Sequence, residues 1–294
     1  MKERIVMMLP VLLLCLGLSA CGQGAPDTAE ATGISEIGGI IIPEMGSKAA
    51  GTEAETGTKA PETTEPKPRE TELKLASFNI KHCAEGLDQV ASVIRAADAD
   101  IIGLQEVDVN CDRSGGEDQP KLLAEAAGYP YYRFIHAIDL GKGEYGTAIL
   151  SRYPILEFSV TPLKTEGLEG RALGEAVIEV PGNELHVFCT HLSFEDRKVR
   201  QEQMKFLAKR LNACSDYSLL ADLNAFQIED ITLLEAAYYV SRADRLYESF
   251  RRVGVGPDNI VLSGSFTELS SGLIAESFSD HKLLWAQVLF RPEE

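Results

Sequence analysis

The sequence predicts an α+β domain with a layered, sheet-rich architecture, and three features support this class. Strand-like apolar runs outnumber amphipathic helical segments between residues 73 and 292. Several consecutive strands are separated by hairpin signals such as Pro181-Gly182-Asn183. Strands and helices also follow one another in mixed order, unlike the regular alternation of a doubly wound parallel fold. We therefore expect mainly antiparallel sheets with helices packed against them.

The individual elements follow from hydrophobic periodicity in chain order. Amphipathic helices are predicted at 87–99, 119–128 (with Gly128 as the stop), 195–212 and near 228–238. Strands are predicted at 73–80, 100–107, 132–138, 146–155, 157–163, 171–180, 184–192, 217–225, 258–263 and 282–290.

The amino terminus has the features of an export signal. Lys2 and Arg4 precede an apolar run that ends near Ala20, which is too short for a membrane-spanning helix of about 20 residues. The sequence Leu-Ser-Ala-Cys at 18–21 resembles the lipobox of bacterial lipoproteins, in which the cysteine is lipidated and becomes the mature amino terminus. We expect residues 1–20 to be a lipoprotein signal peptide and Cys21 to anchor an extracytoplasmic protein to a bacterial membrane. An ordinary cleaved signal is the alternative.

A flexible tether is predicted for residues 21–72. This stretch is rich in Gly, Ala, Thr, Glu and Pro and has few large apolar side chains, so it cannot offset the entropy of ordering. The segment 34–43 (ISEIGGIIIP) breaks that pattern, and its role is left open. A folded domain is predicted to span 73–292.

The charge distribution limits the classes of partner. The formal net charge is −17, of which the domain from residue 73 carries −12. The one dense basic stretch, 197–210, is interleaved with Glu and Gln at helical spacing, which is typical of a solvated helix face. Binding nucleic acid by charge alone is therefore disfavoured, because it needs clustered Lys and Arg. An enzyme that meets phosphate through a metal ion remains compatible.

Polar residues lie at the carboxyl ends of several apolar strands. Their alternation with core-facing positions indicates that they line one edge of the sheets. Each taken alone would be a strand-end cap or a satisfied core residue, and it is the ordered set that favours a site. The set comprises Asn79, Glu106, His191, Asp222, Asn224 and the pair Asp280-His281.

These residues belong to seven motifs that resemble the endonuclease/exonuclease/phosphatase superfamily, the DNase I-like metal-dependent phosphoesterases. The motifs are SFNI, LQEV, YGTAILS, THL, ADLNA, PDNIVLS and SDH, and they occur in the family's order over nearly all of 73–290. The resemblance implies a four-layer α/β/β/α sandwich of two packed, mainly antiparallel sheets flanked by helices.

The resemblance also implies a role for each residue. Glu106 would be the main Mg²⁺ ligand, helped by Asn79 and Asp280, and Mn²⁺ would be a substitute. His281 would be the general base and Asp258 would orient it. Asp222 and Asn224 would position the water and the phosphate, and His191 would donate to a phosphoryl oxygen. Arg171 and Tyr145 would contact the substrate phosphate, and the loop 112–116 with Asp118 and Gln119 would support the substrate rim.

We therefore expect a monomeric, Mg²⁺-dependent hydrolase acting on phosphate esters of lipid head groups or small metabolites by in-line attack of water. A secreted endo- or exonuclease is one alternative, and a catalytically silent binding module is another. His82, His136 and His186 are interpreted as structural. Export permits disulfides, so a bridge between Cys83 and Cys111 is left open.

Overall fold

A computed structural model describes residues 70–251 and 256–292 of the 294-residue chain. The predicted signal peptide, the lipidation site Cys21 and the segment 34–43 lie outside these residues, as does almost all of the predicted tether. Within the described ranges, no helix has the length and apolarity needed to span a membrane.

The described chain contains twelve strands and four α-helices. The strands are β1 (Thr71–Asn79), β2 (Ile101–Val109), β3 (Tyr131–Leu140), β4 (Gly143–Ser151), β5 (Ile155–Leu163), β6 (Arg171–Val180), β7 (Asn183–His191), β8 (Tyr217–Asp222), β9 (Tyr238–Tyr239), β10 (Asp258–Leu262), β11 (Phe266–Ile274) and β12 (Leu283–Phe290). The helices are α1 (Leu87–Ala97), α2 (Gln119–Ala127), α3 (Arg197–Leu211) and α4 (Ile228–Ile231).

These strands form two six-stranded sheets. The first sheet has the order β11-β12-β1-β2-β4-β3, and the second has the order β5-β6-β7-β8-β10-β9. Each sheet is antiparallel except for one central parallel pair, β1–β2 in the first and β7–β8 in the second. Helix α1 connects the first pair and α3 connects the second, as parallel strands require a crossover. The carboxyl ends of each parallel pair therefore lie at one edge of their sheet.

The core has three parts that define four layers. Fully buried side chains such as Leu75 and Leu220 fill the space between the two sheets. Helices α1 and α2 cover the outer face of the first sheet, where Ile94 packs near Leu104. Helix α3 covers the outer face of the second sheet through Met204 and its neighbours. The predicted α/β/β/α sandwich is confirmed.

Some local predictions were wrong for identifiable reasons. Strand β11 was missed because it is an edge strand in which all residues but Phe266 are at least partly exposed, so it lacks an apolar alternation. The predicted strand 146–155 is divided between β4 and β5 by a turn at 152–154. The predicted helix at 228–238 is only one short helix and a 3₁₀ turn. Cys83 and Cys111 are both free and buried, so the structure contains no bridge between them.

The basic stretch 197–210 is only partly a solvated face. Arg200 is buried and its Nη1 donates to the carbonyl oxygen of Ser193 at 2.9 Å. Arg197 instead pairs with Asp230, and Arg210 pairs with Glu175. The stretch therefore offers little unpaired positive charge.

The two sheets approach each other closely at Gly103 in β2. A Cβ at this position would lie 2.6 Å from Leu220 Cβ and 3.1 Å from Cys189 Sγ. We expect Gly103→Ala to lower the free energy of unfolding by about 1–3 kcal/mol through overpacking. Gly264→Ala is the control, since nothing lies within 4 Å of its Cβ position. Urea unfolding midpoints would measure both, and equal stability of the two variants would contradict the close contact.

Candidate active site

The ends of the two parallel pairs meet at one pocket of about 430 Å³. Eight of the ten predicted catalytic, metal-binding and phosphate-contacting residues line it, namely Glu106, Tyr145, Arg171, His191, Asp222, Asn224, Asp280 and His281. The other two, Asn79 and Asp258, are completely buried and hydrogen-bond to residues that line it. The sequence-predicted set is therefore brought together from both sheets.

Glu106 reaches the pocket because of an irregularity in β2. The register between β2 and β4 shifts between Gln105 and Val107, and Glu106 has a φ of +56°. A bulge of this kind redirects one side chain out of the regular alternation. The positive φ is costly for a residue other than glycine, and such strain is often found at functional sites.

Asn79 connects the two sheets at the pocket floor. Its Nδ2 donates to Glu106 Oε1 and to Asp222 Oδ2, both at 3.0 Å. Its Oδ1 accepts from the backbone N–H of Lys81 at 3.1 Å, which fixes the orientation of the amide. Burial raises the pKa of Glu106, and the hydrogen bond from Asn79 opposes that shift. Asn79 therefore orients the carboxylates of Glu106 and Asp222 through its amide nitrogen, and its amide oxygen is held by the backbone N–H of Lys81.

The oxygen donors at the pocket suit a hard divalent cation. The carboxylates of Glu106 and Asp280 are both partly exposed, and both side chains line the pocket. Mg²⁺ and Mn²⁺ prefer such carboxylates together with water and phosphate oxygens. A second group, Asp222, Asp258 and His281, has ligand atoms within 4.8 Å of one another, but these side chains are largely engaged with each other and with Asn79. We therefore assign the better fit to Glu106 and Asp280.

His281 and Asp258 form a buried pair. His281 Nδ1 lies 2.8 Å from Asp258 Oδ2, which also accepts from Ser249 Oγ at 2.6 Å. The other ring nitrogen, Nε2, lies 3.7 Å from Asp222 Oδ2. Burial lowers the pKa of His281, but Asp258 and Asp222 outweigh it and raise the pKa to about 10. Asp258 therefore keeps a proton on Nδ1 of His281, and Nε2 faces Asp222.

His191 is held in a neutral form. Burial lowers its pKa to about 3, against the opposing effect of Asp222. Asn224 Nδ2 lies 2.9 Å from His191 Nε2 and also donates to the carbonyl oxygen of Leu192 at 2.9 Å. Because the amide is fixed by that carbonyl, Nε2 of His191 is the acceptor in this arrangement. Donation from Nε2 to a phosphoryl oxygen would require Asn224 to turn.

Arg171 and Tyr145 lie together on the same wall. Arg171 is 3% exposed, and its Nη1 is 2.6 Å from Glu169 Oε1. Among the described residues, its buried Nε has no hydrogen-bond partner, which leaves an unused donor near the pocket. Burial raises the pKa of Tyr145, whose ring lies 5.3 Å from the guanidinium of Arg113. The neutral hydroxyl of Tyr145 therefore lies on the same wall as the Arg171 guanidinium, whose positive charge is partly compensated by Glu169.

Several lining residues were not predicted as part of the site, namely Ile138, Leu140, Glu169, Phe194, Phe226, Phe250 and Pro257. Arg113, from the loop 112–116 that the resemblance assigns to the substrate rim, also lines the pocket, as does His82, which was given no chemical role. Phe194 and Phe226 are 60% and 41% exposed, and each follows a predicted site residue by two or three positions. A large aromatic residue directly after a polar strand end was the signal that could have identified them. The collar, defined as Ile138, Leu140, Phe194, Phe226, Phe250 and Pro257, gives the polar floor an apolar surround.

Comparisons with known proteins show which family and which solved structures the chain resembles. Residues 76–281 match the model of the Endonuclease/Exonuclease/phosphatase family. The uncharacterized protein YbhP of Escherichia coli strain K12 is 28% identical over 144 residues, which are 44% of this chain and 54% of that protein. The chain thus spans about half the length of the curated relatives it matches.

Solved structures share the fold. An endonuclease/exonuclease/phosphatase from Beutenbergia cavernae has a TM-score of 0.65 at 21% identity, covering 75% of this chain and 72% of that one. A mannosyl-6-phosphatase from Bacteroides thetaiotaomicron has a TM-score of 0.58 at 19% identity, over 74% and 100% of the two chains. A sphingomyelinase C from Streptomyces griseocarneus has a TM-score of 0.55 at 18% identity, over 74% and 99%.

The raised pKa of His281 predicts a pH dependence for the protein freed of divalent cations. Since the folded-state pKa of about 10 exceeds the ordinary value of 6.5, the stabilisation from protonated His281 is complete below about pH 6.5 and is lost as the pH rises through about 10. We expect Asp258→Asn to lower this pKa, as followed by NMR titration in EDTA. Asp244→Asn is the control, because Asp244 is exposed and pairs with Arg242. An unchanged pKa in Asp258→Asn would contradict the pairing.

Proposed function

Since this chain belongs to the endonuclease/exonuclease/phosphatase family, whose members are phosphoesterase hydrolases, we propose that it hydrolyses a phosphate ester with the help of Mg²⁺, for which Mn²⁺ can substitute. The observation that carries this proposal is that polar side chains from both sheets meet at a single pocket. The first sheet supplies Asn79, Glu106 and, just before β12, His281. The second sheet supplies Asp222 and Asp258. A binding module would have no need for a buried acid–histidine pair beside a cluster of oriented carboxylates.

In this proposal Glu106 and Asp280 hold the cation, and Asn79 fixes the orientation of Glu106 by its hydrogen bond to Oε1. When bound, a divalent cation would neutralise charge on the phosphoryl and leaving oxygens and would lower the pKa of nearby His281 by opposing its protonation. Lys81 Nζ lies 3.3 Å from Asp280 Oδ2 and offsets part of the negative charge at the pocket floor.

The attacking water is activated by the chain's own residues. His281 accepts a proton at Nε2, while Asp258 keeps the Nδ1 proton in place and stabilises the imidazolium that forms. Asp222, whose Oδ2 lies 3.7 Å from Nε2, orients the same water toward phosphorus. Asn224, His191, Arg171 and Tyr145 line the side of the pocket where the phosphate oxygens would bind.

The collar supports phosphate esters that carry an apolar part, such as lipid head-group esters, or small phosphorylated metabolites. Its six side chains offer no hydrogen-bonding groups, and the charged neighbours Arg113 and Arg171 are already paired with Asp108 and Glu169. The net charge of −12 from residue 73 onward weighs against a polyanionic nucleic acid. A sphingomyelinase and a mannosyl-6-phosphatase share the fold, so the fold is compatible with substrates that are lipid esters or sugar phosphates.

The proposal includes a location. The lipobox-like sequence before Cys21 supports a protein that is anchored outside the cytoplasm, with the domain held off the membrane by the tether 21–72.

Hydrolysis should depend on the cation and on two side chains. We expect the purified full chain to hydrolyse a phospholipid, a phosphate monoester or a small diester with Mg²⁺ and to lose activity in EDTA. His281→Ala should lower kcat by about 10²–10⁴-fold through loss of the base, and Glu106→Gln should abolish the response to Mg²⁺. His136→Ala, an exposed histidine outside the pocket, is the control. Silence on every ester and on DNA would favour a binding module. Plasmid nicking at physiological salt without lipid or metabolite turnover would favour a nuclease.

Lipidation can be tested separately. Mass spectrometry of the membrane fraction should find a diacylglyceryl group on Cys21 at the mature amino terminus, and Cys21→Ser should release the protein from that fraction. Cys214→Ser is the matched control, because Cys214 lies in the folded domain. An unmodified Cys21 in membrane-bound protein would refute the anchor and leave the catalytic proposal unaffected.

A further inference from the structure

His82 has a buried nitrogen that faces the carboxylate of Glu106. Within the described part of the chain, Nδ1 of His82 has no hydrogen-bond partner, although it lies 4.0 Å from Glu106 Oε2. Buried polar atoms are nearly always paired, so an unpaired one needs an explanation. His82 also lines the pocket, whereas a histidine with a purely structural role would be expected to satisfy both ring nitrogens within the fold.

The turn that carries His82 is strained. Lys81, His82 and Cys83 have φ values of +48°, +44° and +53°, a left-handed run without a glycine. Each such residue costs roughly 1–2 kcal/mol, so surrounding contacts must hold the turn in place. The same turn brings Lys81 to Asp280 and His82 to Glu106, which are the two carboxylates proposed to hold the cation.

A network from the segment 108–119 holds this turn. Gln119 is fully buried, and its Nε2 donates to the backbone oxygen of His82 at 2.7 Å. Its Oε1 accepts from the backbone N–H of Asp108 at 2.9 Å, so both ends of the amide are fixed by their partners. The buried Asp108 carboxylate in turn accepts two hydrogen bonds from Arg113, at 2.8 and 2.7 Å. We call Asp108, Arg113 and Gln119 the brace.

We propose that His82 is a positioning residue for Glu106, and that the brace serves to keep its Nδ1 beside Oε2. Asn79 already donates to Oε1 of the same carboxylate, so a donor at Oε2 would fix the carboxylate from both sides. Nδ1 lies 4.0 Å from Oε2, so a shift of about 1 Å brings it to hydrogen-bond distance. The inference rests on the proposed function, because it assigns Glu106 to the cation.

The inference can be tested on cation binding without substrate. Mn²⁺ binding to the full chain would be measured by electron paramagnetic resonance. A residue that hydrogen-bonds to a metal ligand typically contributes about 10-fold to 100-fold to the metal affinity. We therefore expect His82→Ala to weaken Mn²⁺ binding by at least about 10-fold. His82→Asn should recover part of the affinity, because its amide nitrogen can replace the Nδ1 donor. Asp244→Asn, at an exposed carboxylate outside the pocket lining and outside the His–carboxylate clusters, should leave binding unchanged.

A double-mutant cycle separates positioning from general structural damage. Gln119→Ala should weaken Mn²⁺ binding in the same direction, and the double variant should be no weaker than His82→Ala, since both remove one interaction. Affinity of His82→Ala within twofold of the original chain would overturn the proposal, as would additive losses in the double variant. Failure of the proposed function is distinct: in that case the original chain binds no Mn²⁺, or Glu106→Gln binds it equally well.

Discussion

The hydrogen bonds from the Asn79 amide to Glu106 and Asp222 are the interaction on which the site depends. The two carboxylates come from different sheets, and without a shared donor two like charges would lie close together with nothing between them. The backbone oxygen of Asn79 also accepts from Ser279 Oγ at 2.8 Å, which fixes the loop that leads to His281. One residue therefore sets the positions of the base and of the carboxylates relative to both sheets.

Strain is concentrated around this residue and is carried by the packing of the sandwich. Glu106, Asn224 and the turn at Lys81 all have left-handed backbones, although none of these positions is glycine. Such conformations persist only where neighbouring contacts enforce them. The enforcement comes from the completely buried layer between the sheets, where Gly103 allows an approach that any side chain would prevent.

The architecture and the residues that meet at the pocket were predictable, whereas the local backbone geometry was not. Asn79, His191 and Asp222 end apolar strands, so periodicity alone indicated a common edge, whereas Glu106 lies inside β2 and not at its predicted end. The bulge at Glu106 left no trace in the residue types, because it depends on pairing between β2 and β4. Strand β11 was not predicted because an edge strand that is only partly buried needs few apolar residues. His82 was interpreted as structural because a single histidine in a sequence gives no indication that one of its nitrogens will be buried without a partner.

The first and last strands of the described chain, β1 and β12, are neighbours in the first sheet, and this determines when the pocket can assemble. Strand β12 pairs with β1, so that Thr71 lies beside Phe290, and the strand arrives directly after His281. Contacts so distant in sequence form slowly, since a long loop must close before they contribute. A chain emerging amino terminus first would expose Asn79 and Glu106 long before their partner from the last loop. Assembly of the pocket is therefore a late event in biogenesis, and incomplete chains would carry the acidic floor without the histidine that would act on water.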